Sequence, residues 1–225
     1  RSSLEDFSVP VSENVLGVNV RDVYVASAKL EHSFPFATLT VAGGYFHTRD
    51  DGVADGDLVA LPSDGVTFFP ASQRALDVLD AWTAEARLTS TGEGPFSWAL
   101  GSFYQHRKKD SIFAVYDDPS GTDALTPAQV KASSELFSIQ DNQLSRTWAF
   151  SAEASYKVTD ALTVTAAGRY DRDFRRSVDP RDVANTFAKT SFDRFQPKIS
   201  VAWHVTPDIQ LFTGFSRGDR KSTRL

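Results

Sequence analysis

With 225 residues, a formal net charge of −5 and no cysteine, the chain excludes disulfides, thiolate nucleophiles and Cys-ligated metals, and its acidic balance argues against a nucleic-acid partner. It contains no Met, so it carries no start of its own and reads as a piece of a longer protein. Its distinguishing excess is aromatic, with 17 Phe, 6 Tyr and 4 Trp, residue types favoured in strands and at membrane interfaces.

Residues 1 to about 20 keep no sustained alternation and read as the end of a loop. From Asp22 to Glu31, Tyr24, Ala26, Ala28 and Leu30 share one face, with Ser27 and Lys29 on the other. After a turn at His32 to Pro35, Leu39, Val41, Gly43 and Tyr45 alternate with Thr38, Thr40, Ala42 and Gly44. A connection rich in Asp, Gly, Pro and Ser follows, over about 49–79. The next strand runs from Trp82 to Ser90, turns through the Gly- and Pro-bearing Thr91 to Pro95, and returns with Phe96, Trp98, Leu100, Ser102 and Tyr104 on one face. A second connection, about 109–143, has room for a short helix led by Pro127.

The clearest hairpin lies between Leu144 and Phe174. Trp148, Phe150, Ala152, Ala154, Tyr156 and Val158 alternate with Thr147, Ser151, Glu153, Ser155 and Lys157. After a turn at Thr159–Asp160, Leu162, Val164, Ala166, Gly168 and Tyr170 alternate with Thr163, Thr165, Arg169, Asp171 and Asp173. A third connection covers about 176–190. In the last pair Phe195, Pro197, Ile199, Val201, Trp203 and Val205 share one face, and Ile209, Leu211, Thr213 and Phe215 return beyond Thr206–Asp208.

This gives eight strands in four hairpins. Successive side chains of a strand point to opposite faces, so each strand has one apolar and one polar side. The alternation lasts for about ten residues or more, the length a tilted strand needs to cross a bilayer. Connections inside hairpins are short and those between hairpins long, the sorting of a transmembrane barrel with short periplasmic turns and long outer loops. No run approaches eighteen apolar residues, so no transmembrane helix is predicted. A mean hydropathy of −0.29 fits half-polar barrel strands diluted by loops.

The final hairpin carries a family resemblance. Pro197 and Lys198 open a strand, Thr206, Pro207 and Asp208 form the turn, and Phe212, Phe215, Ser216, Arg217 and Gly218 close the return. This arrangement resembles the strand–turn–strand of TonB-dependent outer-membrane receptors. The runs Thr83 to Ser90, Phe96 to Gln105 and Ala37 to Phe46 fit the same pattern, so the resemblance covers most of the chain beyond Asp22. It implies a Gram-negative outer-membrane location and part of a twenty-two-strand barrel. It also implies a separate N-terminal plug domain, an inner-membrane partner (TonB) that energises uptake through the plug, and a scarce solute such as a siderophore–iron complex. These 225 residues include neither the plug nor the partner-binding peptide. Asp219 to Leu225 break the family pattern and read as a non-native tail.

Candidate functional residues fall in two groups. Glu85, Arg87, Arg169, Asp171 and Lys198 lie on polar faces of long strands and are expected to face the lumen, where charged wall residues meet plug or solute; the bland alternative is that any water-filled barrel wall is polar. Asp50, Asp51, Asp55 and Asp57 place four carboxylates in eight residues of an expected outer loop. Oxygen-rich loops can hold calcium, but this spacing lacks the twelve-residue calcium-loop pattern, and a solvated acidic tip is the simpler reading. His32, His47, His106 and His204 share no ligand spacing, and no nucleophile elbow, phosphate-cradling Gly loop or His-Glu-x-x-His motif occurs. Neither an enzyme nor a cofactor is expected. Trp82, Trp98, Trp148, Trp203, Tyr156 and Tyr170 are expected to form interfacial girdles near strand ends. The sequence therefore predicts a transmembrane barrel portion of a transport receptor. A passive porin-like or adhesin-like barrel and a soluble all-β enzyme or binding module are the competing readings.

Overall fold

The computed structural model describes residues 14–56, 71–118, 125–181 and 187–218. Its strands are β1 (Val18–Ser33), β2 (Ala37–Asp55), β3 (Ala71–Ser90), β4 (Phe96–Asp117), β5 (Glu135–Thr159), β6 (Leu162–Val178), β7 (Phe187–Thr206) and β8 (Ile209–Ser216), with one helix, α1 (Pro127–Ala132), between β4 and β5. They form one antiparallel sheet in sequence order, each strand hydrogen-bonded to its neighbours in the chain. The sheet does not close, and β1 and β8 are its two edges.

The alternation read from the sequence decides which way each strand faces. Residues paired across an antiparallel ladder lie on the same side, so the register extends each face over the whole sheet. On one side Leu100 pairs with Ala152 and Ala152 with Gly168, while Val164 pairs with Val201 and Val201 with Thr213. On the other side Glu153 pairs with Ala99 and Ala167, and Ala167 with Lys198. The apolar side is left open: Leu30 is 68% exposed, Phe150 55% and Phe215 68%. An exposed apolar surface of this extent needs a partner other than water.

The hairpin turns are built by local polar chemistry. The Thr159 hydroxyl accepts from the backbone N–H groups of Ala161 and Leu162, at 3.2 and 3.0 Å. At the β3–β4 turn the Ser90 hydroxyl accepts from the Trp98 N–H at 2.8 Å. Both hydroxyls occupy donors that a tight turn removes from the ladder.

The three connections expected at about 49–79, 109–143 and 176–190 are much shorter than the sequence suggested. β2 runs on to Asp55 and β3 begins at Ala71; β4 continues to Asp117 and β5 starts at Glu135; β6 reaches Val178 and β7 starts at Phe187. The strands thus run to between 17 and 25 residues from β2 to β7, well beyond one bilayer crossing. β1 likewise starts at Val18, inside the segment read as loop. The expected short helix is α1, whose capping box joins Thr126 and Gln129 with Pro127 in the first turn. The tail at 219–225 lies outside the described residues.

The longer strands relocate the aromatic girdle. Trp82, Trp148 and Tyr170 sit mid-strand, with paired sheet continuing beyond them. On the apolar side Trp82 contacts Tyr104 edge-on, ring centroids 5.1 Å apart, and Tyr104 contacts Trp148 at 4.2 Å. Tyr104 and Phe96, Trp148 and Tyr156, and Tyr170 and Leu162 are each eight residues apart on one strand. That is about 26 Å of strand, matching an apolar band of about 25 Å once tilt and ring size are included.

The one buried hydrophobic cluster among the described residues lies at the outer end, away from the short turns. Val15, Val53, Ala114, Tyr116 and Val130 form it, with Ile112 and Leu125 packed against it. Val53, Ala114, Ile112 and Tyr116 continue the apolar rows of β2 and β4, so α1 and the Val15–Leu125 bridge cover the outward side of the wall. A helix of six residues is too short to persist alone, and burying Val130 contributes roughly 2 kcal/mol towards holding it.

Candidate functional site

The polar side of the sheet is the chemically endowed one. The Arg169 guanidinium donates from Nε to both Asp171 oxygens at 3.0 Å and from Nη2 to one of them at 2.8 Å. Gln196 on β7 donates to the same carboxylate at 2.8 Å, so Asp171 is fixed from two strands. Glu85 shares with Arg169 a shallow recess of about 290 Å³, floored by Gly101, Ala149 and Ser151 and bounded by Phe103. Gly101 is what lets Ser151 lie flat there: a Cβ at position 101 would stand 2.6 Å from the Ser151 hydroxyl.

Three of the five expected wall residues, Glu85, Arg169 and Asp171, are therefore brought together. Arg87 stays two positions along β3 and is paired in register with Gly101. Lys198 lies apart, beside Thr165, Ser200 and Gly214 near the β8 edge. What joins the first three is register, because β3 and β6 are separated by two strands.

The acidic segment takes a different form from the expected loop. Asp50, Asp51 and Asp55 are strand residues of β2, and Asp57 lies outside the described residues. Their carboxylates are engaged within the fold. Asp50 pairs with Arg21 across the β1–β2 ladder at 2.5 Å. Asp51 accepts from Arg74 at 2.8 and 2.9 Å and from Lys131 of α1 at 3.0 Å. The Arg74 hydrogen bonds, aided by Lys131 and opposed by burial, hold the Asp51 carboxyl far below the usual carboxylate range. Asp55 is buried and accepts the Asn14 N–H at 2.9 Å. Asp77 is likewise lowered, chiefly by the Ser111 hydroxyl at 2.6 Å and then by Lys109. Among the described residues no group of three or more His, Asp or Glu side chains is arranged to hold a metal.

Sequence reading missed the Asp51–Arg74–Lys131 junction because all three members sit in segments read as connections, Asp51 and Arg74 in one and Lys131 in the next. It also missed the pairing of His47 and Tyr45 with Asp80, each at 2.8 Å, on the apolar side at girdle height. The signal was present in outline: Tyr45, His47 and Asp80 fall on one face once the strand pattern is carried two residues further.

An unclosed meander of over-long strands, apolar on one side and charged on the other, is a wall segment of a large barrel. Residues 9–220 match the family model described as TonB dependent receptor-like, beta-barrel. The chain belongs to the TonB-dependent receptor β-barrel family. Solved structures of similar fold include the ferric yersiniabactin uptake receptor FyuA from Yersinia pestis, with TM-score 0.61, 13% identity, and coverage of 87% of this chain and 27% of that one. The siderophore receptor PiuA from Acinetobacter baumannii gives TM-score 0.64 and 14% identity over 88% of this chain and 32% of its own. The ferric citrate transporter FecA in its unliganded form gives 0.57 and 12%, over 88% and 27%. No curated protein matches by sequence. The chain thus spans about a third or less of the solved receptors it matches.

Membership in this receptor family, which is not one of enzymes, places the barrel segment in the outer membrane. Its apolar side is then the lipid side, and the strand ends bearing α1 are the outer ends.

Proposed function

We propose that the complete receptor imports a scarce solute of the ferric-siderophore class, and that this segment supplies part of its lumen wall and outer rim. The observation that carries the reading is the charged polar side of the sheet, in a chain of this barrel family. In that role Glu85, Arg87, Arg169, Asp171 and Lys198 face the lumen. The Arg169–Asp171–Gln196 group is rigid enough to dock a plug surface. Arg87 and Lys198 are the cations that meet a passing anionic solute. The plug lies outside these residues, and through it the inner-membrane energy-transducing protein drives release. Asp50, Asp51 and Asp55 act by shaping the rim, with Asp51 tying α1 to the wall.

The test is uptake of iron-55 loaded on a panel of siderophores by cells carrying or lacking the intact gene, with and without the inner-membrane energy source. Energy-dependent uptake of one complex, lost on deletion, is the expected result. Uptake that persists without energy means a passive porin instead and overturns the proposal.

A further inference from the structure

At the outer end of the wall, buried polar groups from separate strand ends gather at one point. Asn14 donates its backbone N–H to Asp55 at 2.9 Å and its side-chain amide to Asp118 at 2.5 Å. Asp55 ends β2 and Asp118 follows β4; they are 1% and 0% exposed. Between those strands β3 begins, and its Ser72 is paired in register with Asp55 on one side and Tyr116 on the other. Residues paired in this way share a face, so Ser72 stands on the side that Asp55 faces. It is fully buried, and among the described residues its hydroxyl finds no hydrogen-bond partner.

A buried hydroxyl calls for a partner. The charge at this point says which kind. A hydrogen bond from a neutral amide satisfies a carboxylate oxygen but leaves its charge in place. The sequence around the group is one-sided: stretches 2–20, 50–73 and 110–130 hold three, five and four Asp or Glu and no Lys, Arg or His. Arg74 and Lys131, which follow two of these stretches, both turn to Asp51. Carboxylate and hydroxyl oxygens at a buried, negative point are the ligands of a hard cation. Calcium accepts irregular sets of such oxygens, whereas magnesium demands near-octahedral geometry and gives up its waters reluctantly. A site this buried favours calcium.

We propose that Asp55, Asp118 and Ser72 bind one calcium ion, with Asn14 orienting the two carboxylates. The backbone carbonyl of Asn14 also accepts the Leu125 N–H at 2.8 Å, just before α1, so the ion ties that cap to three strand ends. The site is independent of the solute taken up. The full-length receptor, purified in detergent and stripped with EGTA, is titrated with CaCl2 and separately with MgCl2, and hydrogen exchange over residues 125–132 is followed. With a dissociation constant of about 0.1 mM, in the range of extracellular calcium modules, about 1 mM CaCl2 slows that exchange roughly tenfold. The same concentration of MgCl2 leaves it unchanged. Asp118→Asn removes the calcium-dependent slowing, and Ser72→Ala moves its midpoint to higher calcium. Heat-modifiable gel mobility establishes that each barrel is folded, and Ser72→Ala, the smaller change, carries the test if Asp118→Asn does not fold. Exchange that ignores calcium in the unmodified receptor, or an equal calcium response in unmodified and folded variant receptors, overturns the proposal. So does an equal response to magnesium, which means general screening of surface acids.

Discussion

Asp51 is the residue on which the outer rim depends most. It receives four hydrogen bonds, from the strand arginines Arg49 and Arg74 and from the helix lysine Lys131, while only 10% of its side chain is exposed. Replacing it with Asn in the full-length receptor removes the charge that Arg74 and Lys131 face. The cost is about 2 kcal/mol, between the ranges for exposed and fully buried pairs. Hydrogen exchange over residues 127–132 is expected to accelerate roughly thirtyfold; an unchanged rate would show that the Val130 contact alone holds α1. The pH dependence has a definite sign. The folded pKa is depressed, so the stabilisation is present above the unfolded value of about 3.9 and is lost as pH falls through the folded value. Protection of α1 is therefore flat from pH 7 to 5 and declines only below about pH 4.

At the level of strands, the two faces can be tested by moving one residue along β4. Leu100 lies on the lipid side and Ala99 on the other, at the same depth. Leu100→Arg places a charge in the apolar band and costs roughly 2–4 kcal/mol, whereas Ala99→Arg into a water-filled lumen costs little. Refolding midpoints in urea with lipid vesicles distinguish the two; equal losses would mean that the faces have been misassigned. This alternation was fully legible in the sequence wherever one face meets lipid, as in Trp148 to Val158. It was illegible beyond the girdle. There Arg49, Asp50 and Asp51 put charges on both faces in succession, because neither face meets hydrocarbon and the strand is held by backbone pairing and cross-strand ion pairs such as Arg21–Asp50 and Arg74–Asp51. The sequence reading therefore stopped its strands near the membrane boundary. The Arg169–Asp171 pair was readable from one strand, but its partners Gln196 and Glu85 depend on register between strands, which no single-strand pattern encodes.

The described residues form a sheet with two unpaired edges and an apolar side left open except beneath α1 and the Val15–Leu125 bridge. Expressed alone in water, residues 1–225 should aggregate or require detergent; a soluble, cooperatively folding monomer by analytical ultracentrifugation would contradict the barrel-wall architecture. The strictly sequential pairing also bears on how such a wall is made. Every partner of every strand is its immediate neighbour in the chain, so each new hairpin completes its hydrogen bonds against strands already in place. The sheet can therefore lengthen at one rim like a ribbon being woven, with only its first edge and the next rung unsatisfied at any moment. Among the described residues no strand of the sheet has to find a distant partner.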